Sequence, residues 1–115
     1  MEKATNYTVT NDNRDKMRKV FLQEVKDEIL KNADAKMSVW ILADGLQVVD
    51  YPVDTESGIS EGLKDSNRIL FDLPLETGRI AVDFTKVCMI KTHSEGESRQ
   101  WDLHLDNGTV VCITI

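Results

Sequence analysis

At 115 residues, with 41% hydrophobic residues and a formal net charge of -6, the chain has the composition of an ordered domain with one core. The acidic balance argues against bulk binding to nucleic acid or to an anionic membrane, though it leaves space for a local basic patch. No apolar run approaches the ~20 residues of a membrane span. Residues 1–8 carry no signal-peptide core, so a cytoplasmic protein is expected.

Residues 1–12 are polar and read as an N-terminal arm, with a short strand around Tyr7 and Val9 as the alternative. Asn11, Asp12 or Asn13 then offers an N-cap for a helix over 13–32. Within it Met17, Phe21, Val25 and Ile29 recur every fourth residue, flanked by Val20, Leu22 and Leu30. Such a stripe needs a sheet to lie on, because a helix of this length is marginal alone. Asn32 is the expected terminator. Charge runs against the macrodipole: Arg14, Lys16, Arg18 and Lys19 crowd the first turns, and Glu24, Asp27 and Glu28 follow. That order is either a solvated face or a basic patch kept for an anionic partner.

Met37–Ala43 and Leu46–Val53 read as a hairpin over 37–53, turned at Asp44-Gly45, with Trp40 as its largest side chain and Pro52 at its edge. Residues 54–67 lack periodicity and read as a long surface or binding loop, in which Ile59 and Leu63 are spaced for one helical turn. Residues 68–115 read as an antiparallel meander of short apolar runs. The first is stopped by Pro74, and Asn107-Gly108 is the strongest hairpin signal in the chain.

Asp50, Asp72, Asp83 and Asp102 each lie between apolar neighbours in a strand. Alternation puts each on the face opposite those neighbours, where a charge guards against edge-to-edge pairing. The alternative is that two of them, such as Asp72 and Asp83, converge on a cation or as an acid/base pair. Cys88 and Cys112 stand in strands without a CxxC or Cys/His cluster and read as buried free thiols. His93 in a polar turn and His104 in a strand read as surface imidazoles. No HExxH, GxSxG or glycine-rich phosphate loop occurs, so no catalytic residues, metal or cofactor are expected.

One amphipathic helix followed by six to seven short antiparallel strands is an α+β fold. A small β-barrel or half-barrel under the helix is expected, because closure removes strand edges. This order of elements resembles small barrels with a leading helix, the Sm-like and PUA-like RNA-binding modules. Among the latter it resembles the PrgU-type regulators carried on conjugative plasmids of Gram-positive bacteria. The resemblance implies RNA binding in the control of gene expression on a bacterial mobile genetic element. With no nucleophile, metal set or cofactor loop in the sequence, a small non-enzymatic binding or regulatory module is expected. RNA would be held by Arg14, Lys16, Arg18, Lys19, Arg68, Arg79 and Lys86, with Trp or Tyr stacking on bases. The alternative is an acidic protein–protein module whose strand aspartates and 54–67 loop dock on a basic partner. A homodimer through an unpaired edge strand also fits this layout.

Overall fold

The computed structural model describes residues 3–31, 36–43, 46–53, 59–73, 78–96 and 98–115. Its elements run β1 (Lys3–Thr8), α1 (Arg14–Lys31), β2 (Met37–Ala43), β3 (Leu46–Val53), β4 (Ile59–Glu61), β5 (Arg68–Asp72), β6 (Arg79–Asp83), a 3-10 helix (Phe84–Lys86), β7 (Val87–Glu95), β8 (Ser98–Leu105) and β9 (Val110–Thr114). The Asn32 terminator, the Asp44-Gly45 turn and the Pro74 stop lie outside the described residues.

Six strands form one antiparallel sheet in the order β1-β7-β8-β9-β2-β3, and β4-β5-β6 form a second. This is an α+β fold with one helix, as the element pattern predicts. The described strands close no barrel: they make two separate open sheets, with β1 and β3 at the two edges of the larger one. No described helix is long and apolar enough to cross a membrane.

Three expectations change. Of the two readings of the N-terminus the strand holds and the arm does not: β1 pairs with β7 from Lys3↔Ser94 to Thr8↔Met89, and Val9 buries behind it. The described part of the 54–67 loop is not featureless, since Ile59–Glu61 pairs with β5 and buries Ile59. Nor is 68–115 one meander. Asp83 accepts from the Thr85 amide at 3.0 Å and caps the 3-10 helix, which carries the chain from the small sheet to the large one. Within the large sheet β7-β8-β9 form a continuous meander. Its last turn holds Asn107-Gly108, with Gly108 at φ 88 and its amide donating to the Leu105 carbonyl at 3.1 Å. Glycine suits that left-handed position, as in three-residue hairpin loops.

The helix stripe meets the large sheet through its inner face. Phe21, Leu22 and Val25 are buried, and Met17 and Ile29 pack against the same core. Phe21 stacks on Phe84 and meets Trp101 edge-on, both with ring centroids 6.4 Å apart. Ile59, Ile69, Phe71 and Val82 of the small sheet join this core. Burying such side chains contributes roughly 1.5–3 kcal/mol each before entropy, so the three aromatic rings anchor the helix to the large sheet and to the 3-10 helix.

Candidate nucleic-acid interface

With the apolar stripe turned inward, the opposite side of α1 is set by its 3.6-residue period. Lys16, Lys19, Lys26 and Lys31 are all exposed and fall within about 140° of arc at about 100° per residue. They span about 22 Å along the axis at 1.5 Å per residue. Val20, Gln23, Asp27 and Leu30 share this face, and the Gln23 amide donates to Asp27 at 2.8 Å. Leu30 is 81% exposed.

The helix's other acids are drawn to its flanks. Arg99 on β8 pairs with Glu24 and with Glu28, the latter at 3.4 Å, while its guanidinium lies 4.9 Å from the Trp101 ring centre. Asp15 is held by Arg18 at 2.7 Å. Four lysines and one aspartate therefore share this outward face, with the exposed Asp15 at its margin paired to Arg18, on a protein whose net charge is -6.

The seven basic positions singled out from the sequence separate into different roles. Arg18 is 4% exposed and bonds Asp15, Asn67 and Glu61, tying α1 to β4 and the turn before β5. Arg14 donates to Asn11 and to the Phe84 and Val87 carbonyls, clamping the 3-10 helix to the start of α1. Arg79 pairs with Asp72 at 2.8 Å. Lys16, Lys19, Arg68 and Lys86 are exposed. Lys86 is the last residue of the clamped 3-10 turn and Arg68 follows Asn67, so both lie near the first turns of α1; Arg79 is at the far end of the β5–β6 ladder. Lys26 and Lys31 are missing from that set. They become visible once charges are read around the helix, opposite Met17–Ile29, rather than along the chain.

Asp72 and Asp83 do not converge. In the β5–β6 ladder Asp72 pairs with Arg79 and Asp83 with Arg68, four steps or about 13 Å apart along the strand, so they cannot share a proton or a cation. The hydrogen bond from the Thr85 hydroxyl, with the Thr85 amide and the charges of Lys86 and Arg14, holds the Asp83 carboxyl below its usual value against the opposing effect of burial. Asp102 is only 14% exposed and accepts from Gln100 at 2.7 Å and from His93 at 3.1 Å. The Asp50 side chain lies outside the described residues. Among the described residues no group of three His, Cys, Asp or Glu side chains could hold a metal ion.

The outer face of the large sheet carries the remaining polar chemistry. Trp101 and Leu103 point inward, so Gln100, Asp102 and His104 point outward, in register with Cys112 and Trp40 on the next strands. Cys112 is buried there, and its thiol stays protonated, pushed up to about 12 by burial and by the neighbouring Asp102. Cys88, expected to be buried, is exposed instead, because it sits at a bulge in the β7–β8 pairing. Burial, with the charge of Lys91, holds His104 below the usual histidine value. His93 and Arg99 border an open cleft of about 310 Å³ at the β7–β8 end, but its arginine is already paired to Glu24 and Glu28. The chain matches no family model, no curated protein and no solved structure, so its own geometry carries the functional reading.

Proposed function

We propose that this protein is a small non-enzymatic regulatory module that binds RNA in the cytoplasm through the lysine face of α1, with Arg68 and Lys86 extending the surface at its N-terminal end. One observation carries the reading: Lys16, Lys19, Lys26 and Lys31 share an exposed helix face, while Arg18 and Arg99 engage the flanking acids. A local positive field on an acidic body favours one docking orientation and repels polyanions elsewhere. Arg14 and Arg18 leave the contact set because they hold the fold together. The acidic docking alternative has less support: Asp72, Asp83 and Asp102 are each engaged within the fold.

Phosphate contacts make affinity fall steeply with salt. RNA binding measured by fluorescence anisotropy over a salt series tests this. Lys16→Glu with Lys19→Glu should weaken binding at least about tenfold, roughly 1.4 kcal/mol. Unchanged affinity in that double variant would remove the lysine face from the interface.

A further inference from the structure

We infer that the RNA taken by the lysine face is a double helix, held by its phosphates without regard to base sequence. The inference rests on the RNA-binding reading above and specifies its ligand.

Proteins that hold single strands combine backbone charge with exposed aromatic rings on which bases stack. The basic face of α1 has no aromatic residue: its members are Lys16, Lys19, Val20, Gln23, Lys26, Asp27, Leu30 and Lys31. Phe21, Phe71, Phe84 and Trp101 are in the core, and Tyr7 packs against it. Trp40 is half-buried on the outer face of the large sheet, with its indole N–H donating to Ser38 at 3.2 Å. Helix α1 packs on the other face of that sheet, against Trp101. A single strand lying on the lysines therefore cannot also stack on Trp40.

Base-edge reading is equally poorly served. The residue best suited to it is arginine, whose fork makes paired bonds to a base edge. Three of the five arginines, Arg14, Arg18 and Arg99, are engaged inside the fold, and Arg79 is paired with Asp72 at the surface. Lysine contributes a mobile point charge that satisfies phosphate without fixing base identity. A band of such charges along about 22 Å of helix suits the regular phosphates of a duplex, which proteins recognise mainly by shape and backbone.

The test compares an RNA duplex of about 20 base pairs, a second duplex of scrambled sequence and the separate strands, each over a salt series. The duplexes should bind within about twofold of each other and at least about tenfold more tightly than the strands. The slope of log K against log salt should be about -3 to -4 for four phosphate contacts. Lys26→Gln with Lys31→Gln should reduce that slope by about 2 and weaken both duplexes equally, with circular dichroism confirming the fold. Single strands binding as tightly as duplex, or a preference above about tenfold between the two duplexes, overturns this inference and leaves RNA binding standing. No binding of either form at low salt overturns the RNA-binding reading itself.

Discussion

Arg18 Nη1 donates to Asn67 Oδ1 at 3.0 Å, which joins the second turn of α1 to the turn that launches β5. The same nitrogen reaches Asp15, and Nε reaches Glu61 at 3.4 Å. The Asn67 carbonyl in turn accepts from the Phe84 amide at 2.7 Å. One buried arginine thus links the helix to both ends of the small sheet's path. Its carboxylate partners are 80% and 36% exposed, so they can rehydrate when it is removed. The loss is then mostly packing and hydrogen bonds, not a stranded buried charge. Arg18→Ala should cost about 1–3 kcal/mol in urea unfolding, whereas Lys16→Ala and Lys19→Ala should stay within about 0.5 kcal/mol. Equal costs at the three positions would contradict the division between fold-holding and solvent-facing cations.

The turn entered at Gly62 is closed by two backbone bonds, Gly62 N to Arg68 O at 2.8 Å and Arg68 N to Asp65 O at 3.1 Å. A Cβ at Gly62 would fall 2.7 Å from the Asp65 carbonyl oxygen. That neighbour is backbone inside a closed turn, so it cannot swing aside. Gly62→Ala gains about 0.4–1 kcal/mol from a stiffer unfolded chain, but crowding of this kind costs about 1–3 kcal/mol. A net destabilisation is expected, together with displacement of Asn67 from Arg18. A variant as stable as the parent by thermal unfolding would show that the turn is looser than described.

The parts of this fold that are legible in the sequence are those governed by local chemistry. The Met17–Ile29 spacing reports the buried face of α1, and Asn107-Gly108 marks its turn, because period and positive φ are local properties. The break between β6 and β7 is not legible. Val82-Asp83-Phe84 alternates like a strand, and the Arg14 clamp and the Phe21 contact, from residues far away in the chain, add to the local Asp83 cap where Phe84 begins a 3-10 turn. Ile59–Glu61 is too short to show alternation, and its strand state comes from pairing with β5. The candidate site was half legible for the same reason. Lys16 and Lys19 stand out as exposed charge, while the interior roles of Arg14 and Arg18 depend on partners 43 to 73 residues distant.

The two cysteines should differ in reactivity although both are free. Cys88 is exposed, with its thiol donating to the His104 carbonyl at 3.3 Å. Cys112 is 3% exposed and its thiol is pushed up to about 12. The thiolate is the reactive form, and at pH 8 almost none forms at Cys112. Native reduced protein should take up one equivalent of a maleimide quickly and the second only in denaturant. Mass spectrometry of the labelled peptides should find the first on Cys88; rapid labelling of both would mean that β9 opens readily.

His104 should make the fold sensitive to mild acid. Its Nε2 is buried without a hydrogen-bond partner among the described residues. Burial first, and the charge of Lys91 second, push its pKa below the usual value of 6.5, outweighing the opposite pull of Asp102. The unfolded chain, with an ordinary histidine, therefore takes up a proton before the folded one as pH falls. The resulting stability is fully present above about pH 6.5 and is lost as pH drops from there toward the lowered folded value. In His104→Gln this titration is absent. His93 and the carboxylates are common to both proteins, so their contributions cancel in the comparison. The urea midpoint of the parent should fall more between pH 7 and pH 5 than that of His104→Gln, whatever the variant's stability at pH 7. Parallel loss in the two proteins would show that His104 accepts its proton in the folded state, which would require the outer face of the sheet to admit water beside Nε2.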